Sequence, residues 1–577
     1  MDETQSQWHV VNHDEALAKD LASSLQVPLP MARVLAGRGI GDTTTGKRFL
    51  EPSLSDISDP LTLPGVGAGV ERILHALQQQ ERITVYGDYD CDGLTATTLL
   101  LAVLRQLGAV VDVFIPERVE DGFGFTLGTL DKVLQETHPG LIITADCGMR
   151  SHAAVEQARC AGIDVVIIDH HRPYGAPRPE AAALICPFLD GVPDAFQYLS
   201  AVGLAFTLCR ALRERCITTE VAGAAALDLW HYLDLVAIGT ISDLQWLQGE
   251  NRILVHYGLG LLNDVTKRRP GILALMRAAG LRTEVGCYEV GFLMGPRLSA
   301  AGRLGNADLA LSLLLAEDAM EARRLAGQLD ACHRERRRIE DVVLQAAIDS
   351  VGDALDSKAP CLIAVGDEWH IGTIGIVAAR LSGRFRRSAV VISFDKNGLG
   401  RGSCRSVGDL DLEQVFVQCA DYLGKYGGHD SVAGFTIEKR QIAGFCKAFT
   451  AACEAYLDQE WHFAECHTVD AWVALSEANE ALLDSLKALQ PMGLGNQTPV
   501  WGVRNVRVKG PARIVGDNHL IVTLVCGTTE RNAIGYGLGH RKLPDGPLDV
   551  LFQLQRNQFR GRSSLQLSIK DFRASSV

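Results

Sequence analysis

No long apolar run occurs in this sequence. Even the stretch from Val221 to Ile241 is broken by Asp228, His231 and Asp234, short of the roughly 18 uninterrupted apolar residues a membrane helix needs. The start, Met1 to Asp20, is polar and acidic and lacks the basic-then-apolar order of a secretory signal. No Cys-x-x-Cys occurs among the 15 cysteines, which excludes zinc-ribbon and thioredoxin-type motifs. These absences predict a cytoplasmic chain, without membrane association, whose cysteines stay reduced and pack as small hydrophobes. A P-loop Gly-Lys-Ser/Thr and a His-Glu-x-x-His zinc-protease motif are also missing. An excess of positive charge is missing too. The formal net charge of -13 excludes blanket affinity for nucleic acid, though not a local basic channel.

What is present is an ordinary globular composition, 47% hydrophobic and 22% charged, which excludes a disordered or collagenous chain. At 577 residues it asks for several domains. Residues 1–60 mix short helical patterns with loop signals and read as an N-terminal extension. Residues 61–315 alternate short β-branched runs with helices of ten or more residues. Strands are expected at Ile83–Tyr86, Val110–Ile115, Leu141–Thr144 and Val165–Ile168, and helices at Val70–Gln80, Thr95–Leu107 and Ser151–Ala161. This is the pattern of an α/β domain with a mostly parallel sheet. Residues 316–352 form a long polar helical connector, residues 353–456 a second α/β domain, and residues 457–577 a small β-barrel of short strands separated by turns.

In parallel sheets the working residues sit just past the carboxyl ends of the strands. Three predicted strands run directly into Asp88-Tyr89-Asp90-Cys91-Asp92, Asp146-Cys147-Gly148 and Asp169-His170-His171. One aspartate after a strand is more often a turn former or helix N-cap than a ligand. Three such clusters in one sheet point instead to divalent cations, for which aspartate supplies rigid, charged oxygens and imidazole favours a transition metal. Asp90 and Asp92 can serve one metal each, with Asp146 bridging them from the neighbouring strand. Two cations about 3.5–4 Å apart are the apparatus of in-line displacement at phosphorus.

These clusters, together with Gly239-Thr240-Ile241-Ser242-Asp243, resemble the four ordered motifs of the DHH phosphoesterases. Gly295-Pro296-Arg297-Leu298-Ser299-Ala300-Ala301-Gly302-Arg303 is similar to a signature of their RecJ branch. Trp369-His370 and Gly375–Arg380 resemble the start of its DHH-associated (DHHA1) domain. Arg401–Ser406 and Gly427–Gly434 resemble that domain's substrate-side loops, and Pro491–Asn496 the lead-in to an oligonucleotide-binding (OB) domain. The resemblance implies a metal-dependent exonuclease that hydrolyses single-stranded DNA 5′→3′ to mononucleotides, in DNA repair and recombination. It implies Asp88, Asp90, Asp92, Asp146, His170 and Asp243 as ligands of two Mn²⁺ or Mg²⁺ ions, and His171 beside the scissile phosphate. Arg297 and Arg303 would neutralise phosphate, and Ser299, Arg401, Ser403, Arg405 and His429 would contact the strand. It also implies cooperation with a helicase and a single-stranded-DNA-binding protein. Ser299 stands where the family usually has Asn, Cys404 where Gly is common, Arg401 where Lys is, and Ser242-Asp243-Leu244 replaces Ala-Asp-Val.

Basic residues gather in two further places. Arg323, Arg324, Arg334, Arg336, Arg337 and Arg338 lie in the connector, either as an electrostatic track for phosphates or as one face of a solvated, intrahelically paired helix. Arg556, Phe559, Arg560, Arg562 and Lys570 in the barrel suit base stacking with backbone neutralisation. The competing readings are a phosphodiesterase of short RNA or cyclic dinucleotides, whose known forms lack such a barrel, and a non-catalytic DNA-binding scaffold, which would have lost motif acids.

Overall fold

The computed structural model describes residues 6–118, 120–173, 177–355, 359–408, 410–429, 431–456, 466–516, 518–559 and 562–575. The chain divides into two compact units, one of Met1–Ile57, Trp246–Gln248 and Ala464–Val577, the other of Ser58–Gln245 and Gly249–Phe463.

The larger unit contains two sheets. The first has five parallel strands in the order Val110–Phe114, Arg82–Gly87, Leu141–Ala145, Asp164–Ile168, Ala183–Ile185. Chain order therefore reverses between Arg82–Gly87 and Leu141–Ala145, and the crevice beyond those two strand ends is where such sheets bind ligands. Leu141–Ala145 is buried throughout, and Arg82–Gly87 at every residue but Arg82, as expected of strands covered on both faces. The helix that follows the first of them, Cys91–Gln106, is buried along most of its length. Its threonines survive there because Thr95 and Thr98 donate their hydroxyls back to the carbonyls of Cys91 (2.8 Å) and Leu94 (2.7 Å). Helices Ala201–Thr218 and Leu233–Ser242 pack against it.

The long helix is a single element, Ala319–Val351. Arg324, Arg334 and Arg338 pair with Glu321, Asp330 and Glu335 on its own surface, and Arg336 with Glu340 in a more buried position. The solvated, intrahelically paired face accounts for the first three, while Arg336 is paired within the helix but buried. Arg323 and Arg337 are exposed without a partner among the described residues. The second sheet has the order Tyr426–His429, Val432–Glu438, Leu399–Arg405, Ser388–Phe394, Cys361–Asp367, parallel only at the last pairing.

In the smaller unit, strands Trp501–Val508, Leu548–Phe559, Arg562–Ala574, Thr529–Gly535 and His519–Cys526 lie in that order. The last pairs back with the first, Arg507 opposite Val525, so the sheet closes as a barrel. Helices Glu15–Leu25 and Leu29–Gly37 contribute Leu21, Met31 and Leu35, all fully buried, to the same core as Trp501, Phe552 and Leu567. Strand Gln7–Val10 pairs in parallel with Cys466–Val469. The first 57 residues are thus built into the C-terminal barrel unit, an association that spans the sequence. Among the described residues, no helix is long and apolar enough to cross a membrane.

Truncating Leu35 to Ala removes a fully buried side chain and should cost about 2–5 kcal/mol. Hydrogen–deuterium exchange should quicken in the strands from Trp501 to Ala574 and stay unchanged in the parallel sheet. Acceleration of both alike would contradict the two-unit division.

Candidate metal centre and active site

Asp90 begins the helix at Cys91 as its N-cap. One carboxylate oxygen accepts from the amides of Asp92 (2.9 Å) and Gly93 (3.1 Å), which leaves the other for a ligand. Asp92 is buried in the first turn of that helix and accepts from the amides of Ala201 (2.7 Å) and Val202 (3.0 Å) at the start of another. That helix N-terminus holds the carboxylate in place. Asp146 follows its strand with φ at 70°, a left-handed backbone that a non-glycine residue adopts at a cost.

Asp243 caps the C-terminus of Leu233–Ser242. Gly239 lets that helix approach, because a Cβ there would stand 2.3 Å from Thr95 Oγ1 and 2.9 Å from Asp92 Oδ1. His170 Nε2 stands 3.1 Å from Asp146 Oδ1, 3.4 Å from Asp243 Oδ2 and 3.7 Å from Asp92 Oδ2. Its Nδ1 faces the Gln245 side-chain amide at 3.3 Å, and the same amide donates to Asp243 Oδ2 at 2.7 Å.

Three triads of donor atoms lie within 4.8 Å of one another: Asp88, Asp90 and Asp146; Asp146, His170 and His171; Asp92, His170 and Asp243. Burial, and after it the neighbouring carboxylates, push the Asp92 and Asp146 carboxyls well above the usual range. The same causes raise Asp88 to about 8. Asp88 Oδ1, Asp146 Oδ1 and His170 Nε2 are buried with no hydrogen-bond partner. Buried, like-charged and unsatisfied, this donor set fits hard or borderline divalent cations, which would neutralise the carboxylates and occupy the orphaned atoms.

His171 is held differently. Asp169 accepts from its Nδ1 at 2.7 Å and from its amide at 3.0 Å, and from the amide of Met149 at 2.9 Å. Burial opposes a charge on His171, but the Asp169 carboxylate outweighs it and raises the imidazole to about 9. Asp169 is thus a positioning residue, outside the set of site residues expected from sequence although it belongs to the motif.

A cavity of about 590 Å³ is lined by Asp90, Asp92, His170, His171 and Asp243, and on the same surface by Ser299, Arg303 and Arg405. Gly302 seats the helix Gly295–Arg303, since a Cβ there would stand 2.4 Å from the Tyr89 carbonyl. Burial lowers Arg303 to about 10, with Arg118 and Arg336 adding repulsion. Arg405 is also lowered by burial, and its Nη1 is buried without a partner. Arg118, which sequence reasoning missed, lies over the Tyr89 ring at 5.2 Å. It follows the strand Val110–Phe114, so the strand-end rule that found the aspartates covers it too. Gln245 carried no signal beyond its place two residues after Asp243.

Other expected contacts lie elsewhere. Arg297 is bound to Asp330 (3.0 Å) and to the Leu293 carbonyl (2.6 Å). Arg401 lines a separate cavity of about 440 Å³ with Trp369 and Lys396. Ser403 faces the helix Ile371–Phe385 at Gly375, where a Cβ would meet its Oγ at 3.1 Å. Cys404 is fully buried in the second domain's core. Arg556 pairs with Glu480 and Asp484. The side chains of His429, Phe559 and Arg562, and Arg560 altogether, lie outside the described residues.

Family models for the DHH family N-terminal domain, the DHHA1 domain and the RecJ OB domain match residues 82–240, 358–455 and 469–571. The single-stranded-DNA-specific exonuclease RecJ of Escherichia coli is 32% identical over 95% of this chain and 97% of its own length. That of Bacillus subtilis is 32% identical over 98% of this chain and 71% of its own. The chain belongs to the RecJ family. A crystal structure of Thermus thermophilus RecJ in complex with Mn²⁺ matches with a TM-score of 0.85 at 28% identity, covering 100% of this chain and 80% of that one. A Mg²⁺ complex of the same RecJ matches at 0.78. The three-part α/β, α/β and barrel architecture expected from sequence is therefore the RecJ architecture.

A carboxyl whose folded pKa is raised holds its proton in the native state longer than in the unfolded chain. Stability then falls as pH rises from the unfolded value to the folded one. In EDTA the catalytic unit should lose thermal stability between about pH 4 and 8, the window that Asp88 sets. Saturating Mn²⁺ should flatten that slope, and Asp146→Asn should raise stability in EDTA. A flat profile without metal would show that the carboxylates do not repel one another as placed.

Proposed function

We propose that this chain is a metal-dependent exonuclease that hydrolyses single-stranded DNA 5′→3′ to mononucleotides, as part of repair and recombination. The observation that carries this reading is the convergence of five aspartates and His170, with orphaned buried donor atoms, beside a cavity that three of those aspartates line together with arginines. Asp90, Asp92, Asp146, His170 and Asp243, with Asp88 beside them, would hold two divalent cations, Asp146 being shared. When bound, such a pair neutralises phosphate charge and makes hydroxide available near neutral pH.

The rest falls to the chain's own side chains. Arg303 and Arg405 supply fixed guanidinium donors for the non-bridging oxygens of a phosphate in the cavity. Both are half-buried where they line the cavity, so part of their desolvation precedes substrate and their field is already in place. His171, kept protonated and oriented by Asp169, stands ready to donate a proton from its ring to the departing oxygen or to stabilise its charge. Ser299 lines the wall with a single hydroxyl. Gln245 fixes the rotamers of His170 and Asp243 together, so either ligand is displaced if the amide is lost. A single-stranded-DNA-binding protein and a helicase are the partners such an enzyme would need in the cell, which would be the cytoplasm.

Purified protein should release mononucleotide from 5′-labelled single-stranded DNA in Mn²⁺ or Mg²⁺ and leave the matching duplex intact. EDTA and Asp146→Ala should each abolish release. Asp169→Asn should lower kcat by about 10²–10⁴ with KM nearly unchanged, because it removes the support of the proton donor rather than of the strand. Stable binding without release in either metal would favour a scaffold, and cleavage confined to di- or trinucleotides a short-RNA enzyme.

A further inference from the structure

Tyr288 and Phe292 are large aromatic side chains left 63% and 64% exposed. Their rings stack on each other, with centroids 5.0 Å apart and planes inclined by 28°. They sit on the short helix Cys287–Glu289 and the π-helical turn Val290–Met294, which lead without a break into Gly295–Arg303. Phe292 precedes Ser299 by seven residues, and the π-helical turn that carries it continues directly into the helix of Ser299. Ser299 and Arg303 line the catalytic cavity, so the aromatic pair sits on the segment that leads straight into the cavity wall. On its other side the turn packs on Leu233–Ser242, where Gly291 lies against Ile241 and a Cβ at Gly295 would stand 2.3 Å from Ser242 Oγ.

A third apolar side chain stands at the mouth. Leu244 follows Asp243, lines the cavity and is 66% exposed, on a left-handed backbone with φ at 57°. A leucine in that conformation costs free energy and gains no burial in return. Glu289, between the two rings in sequence, turns its carboxylate to the Gly286 amide at 2.9 Å. The adjacent cavity is lined by Arg303 and Arg405, so a polyanion is drawn to the inner end of an aromatic surface.

We propose that Tyr288 and Phe292, with Leu244 at the rim, form a base-stacking platform for the nucleotides next to the one being cleaved. The inference rests on the nuclease reading of the cavity and adds what that reading lacks, a contact to bases rather than to phosphates. A ring stack accepts any base by its π-face and gives no sequence preference. It also requires unpaired bases, because those of a duplex are already stacked and paired.

The test is fluorescence anisotropy in EDTA with a 5′-phosphorylated oligothymidylate and the same strand carrying abasic sites at its second to fourth nucleotides. Wild-type protein should bind the intact strand at least about five-fold more tightly than the abasic one. Phe292→Ala and Tyr288→Ala should lose that difference, and Phe292→Trp should keep it. Both residues are exposed, so circular dichroism should show all three variants folded. Variants that keep the wild-type preference, or weaken both strands equally, would overturn the platform. So would unchanged strand binding with dimer-to-monomer conversion in sedimentation, which would assign the face to a second copy. Hydrolysis of the same strands in Mn²⁺ separates the two claims. Base preference without hydrolysis would sink the nuclease reading and leave the platform, and hydrolysis without base preference the reverse.

Discussion

Mutual repulsion among five closely set aspartates, three of them buried and two half-buried, is the constraint around which the catalytic unit is organised. Asp88, Asp90, Asp92, Asp146 and Asp243 come from three strand or helix ends and the first turn of one helix, and no described lysine or arginine forms an ion pair with any of them. Four of them are fixed by something that does not neutralise them. Asp90 is held by the amides of its own helix, Asp92 by those of the helix at Ala201, and Asp243 by the Gln245 amide. Asp146 is aimed by a left-handed backbone. Backbone donors and helix termini stabilise a carboxylate while leaving oxygen lone pairs for a cation. The repulsion that remains is offset by the helices Cys91–Gln106, Ala201–Thr218 and Leu233–Ser242, which are buried almost all round.

This arrangement dissolves an opposition that looked real in the sequence. An aspartate after a strand reads as either a helix cap or a ligand, yet Asp90 is plainly a cap and also points into the candidate metal site. The cap fixes one oxygen and thereby orients the other. For Asp169 the local reading is the whole of it: its carboxylate is consumed by His171 and Met149 and takes no place among the candidate ligand triads.

How much was legible follows from how far apart the interacting residues are. Strands and helices of the parallel sheet fall within a few residues of where periodicity puts them, because burial on both faces leaves a continuous apolar signature. The triads were legible because strand ends in a parallel sheet converge by topology. Side-chain destinations set by distant residues were not. Nothing near Arg297 says that its partner is Asp330, and nothing near Leu21 or Leu35 says that they complete a barrel more than four hundred residues away. Motif resemblance places a residue in a family's pattern, but the rotamer it adopts is decided by these non-local contacts.

The cavity's cations obey the same logic with the sign reversed. Arg303 and Arg405 are desolvated and further depressed by other arginines, a state that costs free energy until an anion arrives. Acid and base do not cancel each other across the site, although they line one cavity. If they paired directly the apoprotein would be more stable, but both the cation ligands and the phosphate donors would already be occupied. Keeping them apart makes the empty site the expensive state, and in the proposed reading divalent cations and a phosphodiester would together complete a charge balance that neither completes alone. The connector shows the alternative that was available: there Arg324, Arg334 and Arg338 pair with two glutamates and an aspartate on their own helix and are spent on its surface.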